Sequence, residues 1–193
     1  MPFLSVKTLP VVCSLIMLTA CSSLSFLPGN KPAIPTPIAA NPAAIRIAVL
    51  APKEFQLEAG DLDLTVYQRG GSNDITHDYT LVNVDPAEAR AAVTKFRKPG
   101  QVLHLYRLAP ADALALRDQQ QEMAAAREKG NSKPGFSVDL DKACWDGPVY
   151  APAVPLDVLI EAGGEDGFHP LMSDIDIFGL LNRPEGSRLK TCS

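Results

Sequence analysis

A chain of 193 residues, 46% of them hydrophobic, is long enough to bury one sizeable core and too short for several domains. Its 18 basic and 22 acidic side chains leave a formal net charge of -4. With no basic patch in the sequence, nucleic acid is excluded as an expected partner, and a mildly acidic body has no charge with which to hold anionic lipid.

The first twenty residues carry one basic side chain, Lys7, followed by an apolar run from Leu9 to Leu18. That run is about half of the ~20 residues needed to span a bilayer. A basic residue, a short apolar run and then small residues is the order of a secretory signal. The run ends in Leu18-Thr19-Ala20-Cys21. This stretch resembles the lipobox of bacterial lipoproteins: a Leu three before the Cys, two small residues, then the Cys. The resemblance implies that Cys21 is acylated on sulfur, that residues 1–20 are cleaved as signal peptide, and that the new amine is acylated as well. A thiolate is a natural acyl acceptor, and more than one acyl chain gives stable anchoring. Ser22, rather than Asp, follows the cysteine, which in that family points to the outer membrane, facing the periplasm. The resemblance covers about the first 22 residues and does not extend to the body. An uncleaved membrane helix, or a plain signal with a chance cysteine, is the alternative.

Residues 21–43 read as the lipidated cysteine and a tether. Pro28, Pro32, Pro35, Pro37 and Pro42 interrupt a nearly uncharged stretch with no helical or strand period. Such a stretch is an extended, polyproline-like spacer, on the order of 60 Å long if fully extended.

Residues 44–193 read as one β-rich domain. Ile45, Ile47 and Val49 alternate on one face of a first strand that Pro52 ends. A loop carries Phe55 and Leu57, and Gly60 marks a turn. Leu62, Leu64 and Val66 alternate with polar residues in a second, half-buried strand. Residues 69–74 have turn chemistry, and Ile75 to Val82 returns as the other arm of a hairpin, with Ile75, His77, Tyr79 and Leu81 on one face. Asp85-Pro86-Ala87-Glu88 has the N-cap acid, the first-position proline and the first-turn acid of a short helix reaching about Phe96. After Pro99-Gly100, Val102 to Leu108 is a strand.

Pro110 to about Lys129 is a helix of strong helix formers, stopped by Gly130. Its thin apolar stripe of Leu114, Leu116, Met123 and alanines suits a helix laid on a sheet surface. Phe136, Val138 and Leu140 form a further strand leading to Cys144 and Trp145. The prolines from Pro148 to Pro155, around Tyr150, suit an edge strand or a partner-binding edge. Leu156 to Ala162 and Phe168 to Ile177 pair across a glycine-rich turn, and residues 178–181 are one helical turn. The pattern predicts a mainly β fold, an antiparallel β-sandwich of about seven strands with one α-helical insertion. An α+β arrangement, with the helix packed on an antiparallel sheet, is the alternative.

Cys13 would leave with the signal and Cys21 would carry lipid, so Cys144 and Cys192 remain for an oxidising compartment. One disulfide between them is the simplest expectation, tying down the C-terminal tail. Two free thiols or a metal pair are the alternatives, with no Cys-x-x-Cys and no adjacent His to support them. The pairs Asp61/Asp63, Asp139/Asp141 and Asp174/Asp176, the last with Asp166, are the weak calcium candidates, each read first as a solvated strand face. His77, His104 and His169 lack zinc spacing, and His104 reads as a packed core or boundary residue. Gly70-Gly71-Ser72 lacks the flanks of a nucleophile turn. Trp145 reads as a ring covering the disulfide. No catalytic set, metal or cofactor is expected. The leading expectation is a membrane-anchored envelope lipoprotein acting as a non-enzymatic binding or assembly module, with an envelope protein as partner. The alternatives are a carrier of a small ligand and an envelope hydrolase with dispersed catalytic residues.

Overall fold

The computed structural model describes residues 36–70, 74–128, 132–140, 142–147, 155–163, 167–176 and 190–192. Strand β1 (Ile45–Pro52) is buried at every position except Arg46. Its alternation suggests one covered face, but both are covered. Ile45, Ile47 and Val49 enter the main core, while Ala48 and Leu50 pack with Ala89, Val93 and Phe96 on the opposite side. Position explains this: β1 is flanked by two neighbours in antiparallel register, and a short helical segment lies across the outer face.

The mainly β, antiparallel fold with one helical insertion is present. Beyond β1 come β2 (Phe55–Gln56), β3 (Leu62–Arg69), β4 (Ile75–Val84), β5 (Gln101–Leu108), β6 (Lys133–Leu140), β7 (Cys144–Trp145), β8 (Leu156–Ala162), β9 (His169–Ile175) and β10 (Lys190–Thr191). Seven strands form one sheet in the order β6-β3-β4-β5-β1-β8-β9, every pair antiparallel. The sheet curls, so residues of β3 and β6 share one core with residues of β1 and β8, as the two layers of a sandwich do. The three two-residue strands make a small sheet, β10-β7-β2, whose Phe55 and Trp145 close part of the same core.

In β3 burial alternates as the sequence predicts, and the β3–β4 and β8–β9 hairpins form. On β4, Tyr79 and Leu81 are buried but His77 is exposed, because the strand runs past the covered part of the sheet. On β6, Gly135 lies opposite Tyr67 of β3. A Cβ there would stand 2.5 Å from the Tyr67 ring, so only glycine lets the ring lie over it. Arg69 also lies over the ring, its guanidinium 5.0 Å from the centroid.

Asp85 caps the short helical segment, its carboxylate accepting the Ala87 N–H at 2.8 Å, and helix α1 (Arg90–Val93) follows. Helix α2 (Pro110–Glu128) has its buried stripe at Ala113, Leu116, Gln119 and Met123. The stripe expected from composition included Leu114, which is 63% exposed. Spacings of three and four residues select Ala113 and Gln119 instead. Gln119 is buried because it is satisfied: it accepts from the Tyr79 hydroxyl at 2.5 Å and donates to the Val66 carbonyl at 3.2 Å. Burial, with help from Asp112, Glu122 and Asp118, pushes the Tyr79 hydroxyl up to about 12, so it stays a donor. Among the described residues no helix is long and apolar enough to cross a membrane.

Residues 36–43, read from their proline content as spacer, pack against the domain. Pro37 and Pro42 are buried, and Ile38 and Ala40 pack against the core. Gln120 of α2 donates to the carbonyls of Pro37 and Ala40 at 2.6 and 2.9 Å. Prolines cannot donate but their carbonyls still accept, and α2 supplies the donor. Residues 1–35, with Cys21 and the lipobox, lie outside the described residues, as do residues 148–154 and 177–189.

Cys144 and Cys192 form a disulfide across a sequence separation of 48, with Cα atoms 4.9 Å apart. Cys192 also donates its backbone N–H to the Trp145 carbonyl at 3.1 Å. Trp145 is buried beside the bridge. Closing a loop of this length restricts the unfolded chain. On the chain-entropy model, Cys192→Ser lowers the unfolding free energy by about 4 kcal/mol. Denaturant titration of the oxidised protein and the variant checks this, and unreduced peptide mapping should recover Cys144 joined to Cys192.

Candidate functional site

Because the sheet curls without closing, its two edge strands β6 and β9 approach a common space. That space is a pocket of about 620 Å³. Phe136, Val138 and Leu140 of β6 supply one wall, and Leu171, Met172 and Ile175 of β9 the other. The floor follows from register. Val49, Val158 and Met172 lie in one row across β1, β8 and β9, and all three line the pocket. The lining is mainly apolar; Ser137 and Asp139, on the outer side of β6, are its polar members.

At this rim Asp139 is held by two hydroxyls. Thr65 donates to it at 2.9 Å and Ser137 at 2.7 Å, both to Oδ2. The Thr65 hydroxyl also lies 2.8 Å from an Asp78 carboxylate oxygen, so three adjacent strands are linked on their outer face. A hydroxyl has one proton to give, and two carboxylates share it here. Among the described residues no Lys or Arg forms an ion pair with Asp139 or Asp78.

The residues singled out from sequence are scattered. Asp61 is buried and accepts the Glu58 N–H at 2.8 Å, closing the turn before β3, whereas Asp63 lies on β3 opposite Asp139. Asp141 and Asp166 lie outside the described residues. Asp174 binds Lys98, as set out below. Among the described residues no group of three metal-ligating side chains forms. His77 is exposed near Tyr79, and His169 opens β9 on the far side of the sheet. His104 sits opposite Val49, one strand from the pocket floor. Burial lowers its pKa, and its Nε2 has no hydrogen-bond partner among the described residues. Two residues along the same face, the buried Tyr106 hydroxyl is likewise unpartnered and is pushed up by burial and then by Asp61. Gly70 donates to Asp74 at 3.1 Å, closing the hairpin end, while residues 71–73 and Tyr150 lie outside the described residues.

Sequence reading passed over a buried polar network beside β9. Asp157 of β8 is 3% exposed. It accepts from Lys98 Nζ at 2.8 Å, Gln101 Nε2 at 2.7 Å and the Asp174 N–H at 2.9 Å. Lys98 also reaches the Asp174 carboxylate at 2.8 Å. Gln101, itself buried, donates to the Pro155 carbonyl at 2.8 Å and accepts the Lys98 N–H at 2.8 Å. Asp174 adopts φ +57, a left-handed conformation that Asp tolerates better than most residues. The signal was an acid inside the apolar run Leu156-Asp157-Val158-Leu159-Ile160, which requires partners.

Compared with known proteins, the chain matches no family model, no curated protein and no solved structure.

Burial alone would raise the Asp157 carboxyl, but the hydrogen bonds from Gln101, Lys98 and the Asp174 backbone outweigh it and hold the group below its ordinary 3.8. Its contribution to stability is therefore complete above that value and is lost as pH falls through the lower folded value. Hydrogen bonds to Asp157 and then Asp174 raise Lys98 above its ordinary 10.5, so its contribution holds below that pH and is lost as pH rises past it. Asp157→Ala should lower the unfolding free energy by about 2 kcal/mol at neutral pH. Asp157→Asn should flatten the acid limb of a stability profile measured by chemical denaturation from pH 2 to 7.

Proposed function

We propose that this chain is a lipid-anchored lipoprotein of the bacterial envelope, attached through Cys21, with a periplasm-facing domain that is a non-enzymatic binding module. Support for the anchor is Leu18-Thr19-Ala20-Cys21 behind a short apolar run. Support for binding is one observation: the apolar pocket between the edge strands of an unclosed sheet. A concave, apolar site with few polar groups is the ordinary form of a small-ligand site. That lining favours the ligand-carrying form of the module over a flat assembly platform. The hydrolase alternative gains no support from His77, His104 and His169, which lie apart on β4, β5 and β9.

Two measurements test this reading. Detergent phase partitioning should send the wild-type chain to the detergent phase and Cys21→Ala to the aqueous phase. A water-soluble wild type that retains residues 1–20 rejects the anchor. An apolar naphthalene dye should bind saturably to the Cys21→Ala chain. Val158→Trp and Leu171→Trp, which fill the pocket from different strands, should each weaken it about tenfold or more. Unchanged dye affinity in both variants rejects the pocket as the site.

A further inference from the structure

We infer that the pocket takes a single-chain amphiphile with a positively charged head, its apolar chain lying between β6 and β9 and its head against the Asp139 carboxylate. The inference rests on the reading of the pocket as a small-ligand site. Its volume of about 620 Å³ suits a small ligand, and its walls offer an alkyl chain apolar side chains on both sides.

The head follows from charge at the rim. Both hydroxyl bonds to Asp139 fall on Oδ2, and among the described residues no hydrogen bond falls on Oδ1, which leaves that oxygen for a ligand. Asp78 shares the Thr65 hydroxyl and adds a second negative charge on the same face. The basic pair Arg69 and Lys133 stands at the other end of β3 and β6, six residues from the Asp63–Asp139 pair and so about 20 Å away. Lys98 is shared by two carboxylates, Asp157 and Asp174, and none of the three lines the pocket, so it does not offset the charge at the rim. An anionic head would meet like charge at the β6 rim, whereas an ammonium group meets the Asp139 carboxylate there.

Dodecylammonium, dodecanol and dodecanoate, each kept monomeric, are competed against the naphthalene dye on the full-length Cys21→Ala chain. Dodecylammonium should displace the dye best and dodecanoate worst, with a ratio on the order of tenfold at low salt that shrinks as salt is raised. Asp139→Asn should shrink that ratio severalfold and leave dodecanol unchanged. The residue is exposed and its amide oxygen still accepts from Thr65 and Ser137, so the fold should be kept. Equal displacement by all three probes, or best displacement by dodecanoate, overturns the head assignment while the pocket reading stands. Displacement by an extended apolar peptide and by none of the alkyl probes overturns the amphiphile and makes the seam a strand-docking site. Failure of every probe, with pocket-filling variants like wild type, overturns both.

Discussion

Strand β1 must be covered on both faces, and much of the architecture follows from that demand. Its residues on one side need the curled sheet, α2 and the small sheet around Phe55 and Trp145. Those on the other side need the capped segment that carries Ala89, Val93 and Phe96. Burying a Leu or Ile side chain is worth roughly 1.5–3 kcal/mol. β1, with β5 and β8 beside it, therefore holds together segments as distant in sequence as residue 45 and residue 168.

Buried polar groups then fix how these layers meet. Gln119 ties α2 to β3 and β4 at one point, and Gln101 with Asp157 ties the start of β5 to β8. An apolar contact tolerates sliding, but a buried amide or carboxylate does not, because a shifted register would leave it unpaired. Tyr67 resting over Gly135 does the same for β3 and β6 through shape alone. The open seam is left where such ties are absent from the described contacts, between two strands that are not paired with each other.

Much of the fold was legible in the sequence. β3 could be read residue by residue, since one face is wet and the other dry. Cys144 and Cys192 could be paired because the number of cysteines left few choices. β1 was read with one face too few, because alternation cannot report that the second face is covered by a distant segment. Residues 36–43 were read as spacer, because proline content describes the isolated chain and carries no trace of the Gln120 amide that receives it. Leu114 outweighed Ala113 by hydrophobicity, while helical spacing favoured the smaller residue. The pocket was not legible at all. It depends on which two edges meet after the sheet curls, a property of register summed over seven strands.

The two rims of the seam are chemically unlike. β9 carries Pro170, which has no N–H, and its register with β8 shifts twice before Ile175. β6 pairs with β3 without interruption from Lys133 to Leu140. A foreign backbone could thus extend the sheet in one direction only, from the β6 side, which faces the same space as the pocket mouth. That asymmetry disfavours sideways polymerisation, since growth by strand addition needs two receptive margins and the described strands offer one.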